Sequence, residues 1–167
     1  MYELIKTLPY WFQVLLLIVP ILSFLITACA FVIHVEQTML NNTLGRAKIV
    51  SEYLHTFMDD DMMHRAFYKI EYSQFKYDSG FHTSDEEREI DKLLRHFSNL
   101  ALMWEHGLLN LKDIYPVQYF IIRIANDANI RKYLLFINSW ADTAGTGSHP
   151  YSSLSALSSS LTKRINA

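Results

Sequence analysis

The sequence predicts an all-α fold: one N-terminal transmembrane helix, a small soluble helical bundle behind it, and a Ser-rich tail. Three observations predict it. Charge is missing from the front of the chain, since of 15 basic and 17 acidic side chains only Glu3 and Lys6 precede residue 36. Behind that stretch apolar residues recur at spacings of three and four, the period of a helix face, and no segment alternates as a half-buried strand would. From Ala141 the texture turns to Gly, Ser and Thr, which marks a linker and tail. The chain divides accordingly into a flank (1–9), a membrane helix (10–34), a helical domain (35–142) and a tail (143–167).

From Thr7 to Val35 there are 29 residues without Asp, Glu, Lys or Arg, and 20 of the 24 residues from Tyr10 to Ile33 are apolar. At ~1.5 Å per residue this run crosses the ~30 Å hydrocarbon core of a bilayer. Tyr10 and Trp11 stand where an interfacial aromatic belt begins, and His34 and Glu36 mark the other edge. Pro20 is expected to kink the span or leave a carbonyl free in its middle. The run exceeds the ~7–15 apolar residues of a secretory signal peptide. A second competitor is a bacterial lipoprotein signal, because Ile26-Thr27-Ala28-Cys29 resembles a lipobox that would make Cys29 a lipidated first residue. Against it, the chain stays apolar through Ala30-Phe31-Val32-Ile33, so a buried, inert thiol is the simpler reading. Arg46 and Lys48 outnumber Lys6, which favours a cytoplasmic C-terminal domain.

The polar interruptions of the span share one side. Gln13, Pro20, Thr27 and His34 are spaced by sevens, Asn41 continues the series, and Ser23 falls beside it, so that Gln13, Pro20, Ser23, Thr27 and His34 occupy an arc of about 80°. Lipid offers these groups no partner, so the stripe is expected to meet a second copy, a partner helix or a polar path. The competing reading is that Ser23 and Thr27 bond their own backbone carbonyls and the spacing is coincidental.

Behind the membrane, Ala47, Val50, Leu54 and Phe57 form one apolar face on a helix that can continue the span. Asp59-Asp60-Asp61 then precedes Met63, Ala66, Phe67 and Ile70 and suits a helix N-terminus. A divalent metal held with His64 is the alternative, disfavoured because adjacent carboxylates on one backbone diverge. After a loop around Asp78, Ser79 and Gly80, Ser84 and Glu87 make a capping box. Ile90, Leu93, Leu94, Phe97, Leu100, Ala101 and Trp104 follow at helical spacing before Gly107 ends the helix. Asp85, Glu86, Glu87, Glu89 and Asp91 crowd its first turns, where helix-dipole complementarity accounts for them; partner binding is the minority reading. Val117, Phe120, Ile121, Ile124 and Ala125 make a further face, and Ile130, Tyr133, Leu134, Ile137 and Trp140 another. Arg123, Arg131 and Lys132 are read as a solvated face, and their charge argues against a second span.

In the tail, Tyr151, Leu154, Leu157, Leu161 and Ile165 stand at near-helical spacing. Seven serines from Ser148 to Ser160 weaken intrinsic helicity, so the tail is expected to be disordered alone and to order as an amphipathic helix on a partner or membrane.

Composition excludes several functions. The formal net charge of −2 gives no phosphate-neutralising surface, so no direct nucleic-acid binding is expected. A lone cysteine forms neither an intramolecular disulfide nor a thiolate-based zinc site. The five glycines open no GxGxxG or P-loop, the seven histidines hold no HExxH pair, and the tail serines lack a strand-turn-helix setting. No enzymatic activity, cofactor or metal is expected.

From Ser84 to Ile137 the chain carries a capped helix with Leu93, Leu94, Phe97 and Leu100, then Trp104-Glu105-His106-Gly107-Leu108, then two short helices ending Tyr133-Leu134-Leu135-Phe136. With the N-terminal span, this resembles a broad bacterial family of small, uncharacterised, membrane-anchored helical domains. Members occur as accessory or effector proteins, some in phage-defence loci such as retrons. The resemblance implies a bacterial inner-membrane effector that acts through protein contacts and membrane perturbation in antiviral defence, and it brings no catalytic residues. The alternative expectation is a lipoprotein or envelope-stress sensor whose helical domain binds a ligand or partner. The expected partners are the bilayer and either a second copy or another protein, met through the membrane helix and the helical domain.

Overall fold

A computed structural model of the chain describes residues 9–147 and 149–165, leaving aside the side chains at 10, 13 and 17. Among these residues the protein is all-helical. Its elements are α1 (Tyr10–Asp59), α2 (Asp61–Glu71), α3 (Asp85–Glu105), a 3-10 turn (Tyr115–Val117), α4 (Gln118–Asn126), α5 (Ala128–Thr143) and α6 (Ser152–Ile165), with no strand. The flank expected over 1–9 lies outside the described residues apart from Pro9.

The chain forms two compact units, Met1–Gly45 and Arg46–Ala167. The first consists of α1 up to Gly45. It contains the apolar run, and α1 is the one described helix long and apolar enough to cross a membrane, of the composition of an anchor or a signal sequence. None of that apolar window is buried, and Leu15, Ile18, Leu22, Phe24, Ile26 and Phe31 are all exposed. α1 runs through Pro20, whose missing N–H leaves the Leu16 carbonyl without its helical donor.

The second unit is a bundle built around α3, which packs on α2 and α6, while α4 packs on α6, α2 and α5. The apolar spacing read along α3 is its buried face: Ile90, Leu93, Leu94, Phe97, Leu100 and Ala101 are all enclosed. Phe57, near the end of α1, fills the centre of an aromatic cluster, with ring centroids 5.8 Å from Phe67, 5.3 Å from Phe97 and 4.9 Å from Phe120. Such tilted and edge-on pairs add directional energy to the burial itself. In the connection before α3, Phe75 and Phe81 are buried 5.4 Å apart, and Phe81 meets Tyr133 at 4.9 Å.

The caps explain where helices begin. Asp60 accepts from the backbone N–H of Met62 and Met63 at 3.1 and 3.0 Å and opens α2. Ser84 accepts from Glu87 N at 3.1 Å and opens α3. The reciprocal half of that box is displaced by one residue, because the Glu87 carboxylate accepts from Thr83 N at 2.6 Å. Thr83 sits at φ +65°, which turns its N–H toward the carboxylate. Asp127 accepts from Asn129 N and Ile130 N and opens α5.

Three expectations are corrected. The tail is not a free arm: Ser152–Ile165 is helix α6, with Leu154, Leu157 and Leu161 fully buried against α3 and α4. The poor helicity of its serines is outweighed by this burial, since amphipathic packing contributes more than propensity. Ile165, expected on the same face, is 61% exposed. By compactness, 35–45 group with the apolar unit and 143–167 with the bundle. Trp140, expected beside Ile137 in the core, is 62% exposed. Finally, Arg123 is a half-buried helix cap instead of part of a solvated face, while Arg131 and Lys132 are exposed as expected, Arg131 also reaching a helix end. Arg123 Nη2 donates to the Ile70 and Glu71 carbonyls at 2.7 and 2.9 Å, and Arg131 Nε donates to the Ala125 carbonyl at 3.2 Å. These carbonyls end α2 and α4, where the helix dipole favours a cation.

Candidate functional site

Two surfaces carry groups that the fold leaves available, and each lies within one unit. On the first unit, Pro20, Ser23, Thr27 and His34 are exposed along α1; the Gln13 side chain is outside the described residues. Thr27 Oγ1 donates to the Ser23 carbonyl at 2.8 Å, the back-bonding that removes one hydroxyl from the demand for a partner. Thr38 does the same toward the His34 carbonyl at 2.9 Å. The Ser23 hydroxyl and the His34 imidazole have no side-chain partner among the described residues. Cys29 is a free, exposed thiol in the interior of α1, which continues past it to Asp59.

The acidic clusters are structural. Asp59 pairs with His55 at 2.7 Å, and Asp60 caps α2 while bonding Lys92. That ammonium and the backbone N–H groups hold the Asp60 carboxyl below its usual range. Glu89 is buried and accepts from Arg65 at 2.9 Å and Lys69 at 3.5 Å. Burial pushes the Glu87 carboxyl up, but His82, Thr83 N–H and Tyr133 together hold it below its ordinary value. Among the described residues, no three His, Cys, Asp or Glu side chains converge as a metal ion would require.

On the second unit a trough of about 620 Å³ runs between α3 and α5 and ends at the turn before α6. One wall is apolar: Phe136, Ile137, Trp140 and Pro150. The other is the polar edge of α3, with Asp91, Arg95, Ser98 and Asn99, and Tyr151 closes the end. Asp91 organises it. Its Oδ1 accepts from the Tyr151 hydroxyl at 2.6 Å and from the Tyr133 hydroxyl at 3.4 Å, and its Oδ2 accepts from Arg95 Nη2 at 2.7 Å. Burial, then the negative charges of Asp91 and Glu87, push the Tyr133 phenol far above its ordinary value. Burial and the bond to Asp91 do the same to Tyr151, so both phenols remain donors. A smaller polar hollow of about 450 Å³, lined by Asp60, Arg88, Lys92 and His96, adjoins it and shares Asp91, Arg95 and Asn99.

Sequence reasoning assigned Asp91 to the helix dipole and Trp140 to the core, and so missed this trough. One signal was present. Ser98 stands in the apolar phase of α3, beside Phe97 and between Leu94 and Ala101, and a polar residue in a core position is the informative exception.

No protein-family model, no curated protein and no solved structure matches this chain. Its class is therefore defined by architecture: an all-helical protein in which one long apolar N-terminal helix precedes a small helical bundle.

Proposed function

We propose that this protein is a single-pass, membrane-anchored, non-enzymatic interaction protein of a bacterial inner membrane, with its helical bundle in the cytoplasm. The observation that carries the reading is α1 itself. Its apolar stretch packs on nothing in its own unit, yet it presents Pro20, Ser23, Thr27 and His34 on one side. In hydrocarbon such a face is stabilised by another helix or by water, so α1 works as a contact surface as well as an anchor. Arg46 and Lys48 support the cytoplasmic placement of the bundle. The resemblance between Ser84 and Ile137 supplies the most concrete form, an effector that perturbs its own membrane during antiviral defence.

The test is cross-linking in native membranes together with a membrane-potential dye in expressing cells. Wild type is expected to give a discrete oligomer or partner adduct that is lost in the Gln13→Leu, Thr27→Leu double variant, with depolarisation lost in parallel. An unchanged adduct makes the polar spacing accidental, and absence of depolarisation under every trigger leaves only anchoring. Lipid labelling that disappears in Cys29→Ser replaces this reading with a lipoprotein.

A further inference from the structure

A third hollow, of about 380 Å³, lies where α5 and α6 meet the end of α4, and most of its lining is polar: Asn126, Arg131, Asn138, Ser155, Ser158 and Ser159. Asn138 carries the feature that sets it apart. Its Oδ1 is shielded from solvent and, among the described residues, accepts no hydrogen bond. An enclosed amide oxygen without a donor is unfavourable, and a bound molecule that donates to it removes that cost. Nothing is bonded to this oxygen where it sits, and the last torsion of an asparagine is broad. The amide therefore turns its oxygen toward the hollow without giving up a bond at that atom.

The charge of the hollow sets the rest of that molecule. Arg131 Nε donates to the Ala125 carbonyl at 3.2 Å and Nη2 to Asn126 Oδ1 at 2.5 Å, and both acceptors are uncharged. Among the described residues its positive charge meets no carboxylate, and a guanidinium has five N–H donors, so Nη1 remains uncommitted. No Asp or Glu lines the hollow. An anion is therefore favoured beside Arg131, whereas an ammonium would find no countercharge. The donor that suits Asn138 is then a neutral hydroxyl. Ser155, Ser158 and Ser159 line the α6 side with hydroxyls that both donate and accept, the complement of a hydroxylated body. Arg131 and Asn138 both stand on α5, two turns apart on one face, about 10 Å along the axis. The volume falls within the ~300–1,000 Å³ of small-molecule sites.

We propose that this hollow binds a small hydroxylated anion of the polyol-phosphate class, its acidic group on Arg131 and its hydroxyls on Asn138 and the serines of α6. The site belongs wholly to the bundle and stands or falls independently of what α1 contacts.

The full chain in phosphatidylcholine nanodiscs is titrated calorimetrically with glucose 6-phosphate and with glycerol 3-phosphate, against empty nanodiscs. Glucose, glycerol and inorganic phosphate, the separate halves of these probes, serve as controls. Saturable binding of at least one polyol phosphate is expected, about tenfold or more tighter than either of its halves, the scale of one hydrogen bond to a charged group. Arg131→Gln is expected to erase the advantage over the uncharged polyol, and Asn138→Leu to reduce the advantage over inorganic phosphate. A merely structural role for either residue would leave both ratios unchanged. The titration is repeated in phosphatidylglycerol nanodiscs, whose headgroup carries the same phosphate and hydroxyls: binding blocked there assigns the ligand to a lipid headgroup, and binding retained assigns it to a soluble molecule. Saturation by neither polyol phosphate in phosphatidylcholine, affinity no greater than that of inorganic phosphate, or both ratios unchanged in the two variants overturns the proposal.

Discussion

The Tyr151 hydroxyl donates to Asp91 Oδ1 at 2.6 Å across 60 positions of chain, and through it the turn before α6 is fastened to the second turn of α3. Tyr151 adopts φ +66° to make this contact, a left-handed conformation that costs a bulky residue and persists because the surrounding structure holds it. The bond is charge-assisted and partly buried. Tyr151→Phe is therefore expected to lower unfolding free energy by about 1–3 kcal/mol. Urea denaturation checks this as a lower midpoint at unchanged slope. A shift below about 0.5 kcal/mol, the range of neutral surface changes, would show that the bond adds nothing to the fold.

The placement of α6 in the core makes a second prediction. Leu157 is fully enclosed, so Leu157→Ala is expected to cost about 2–5 kcal/mol, while Ser155→Ala on the exposed side of the same helix stays within about 0.5 kcal/mol. Thermal melts of the two variants side by side separate a core helix from a tail awaiting a partner, for which both changes would be silent.

Arg123 joins α4 to the end of α2 through three contacts, two to carbonyls and one to Glu71 at 3.1 Å. A lysine keeps the charge but not the planar fork. Arg123→Lys is expected to cost about 1.5–3 kcal/mol in the same denaturation experiment, and Lys132→Gln, at an exposed position, less than about 0.5 kcal/mol. Equal behaviour of the two would return Arg123 to the solvated face that its spacing suggested.

His96 gives the bundle a pH dependence. Its Nε2 donates to the Tyr53 carbonyl at 3.1 Å, and burial lowers its pKa from the ordinary 6.5, against that bond and the Asp60 charge, which raise it. The unfolded chain therefore binds the proton more readily than the folded one. Stability from this group is complete above pH 6.5 and declines as pH falls below it. The urea midpoint is expected to drop between pH 7 and pH 5, and His96→Gln to flatten that drop. An unchanged pH profile in the variant would assign the dependence to other groups.

Much of the bundle could be read from spacing. Met63, Ala66, Phe67 and Ile70 are the buried face of α2, and the α3 positions from Ile90 to Ala101 are buried as their period requires. Asp60 and Ser84 cap where a side-chain oxygen ahead of an apolar run should. Trp140 and Ile137 differ in a way no period shows, because whether an apolar position is covered depends on which element passes over it, and nothing among the described residues covers Trp140. The arginines illustrate the same limit. Arg123 is one residue from an apolar stripe and looks solvated until the end of α2 arrives beneath it.

Helix type, helix limits and the separation of an uncharged apolar stretch from a mixed-charge domain follow from interactions between residues a few positions apart, and those are written along the chain. The fate of the serine-rich tail and the engagement of Asp91 by Tyr133 and Tyr151 arise between residues tens of positions apart. Such pairs are set by how side chains of different helices fill one common volume, and a change in that packing moves them while the local pattern stays as it is.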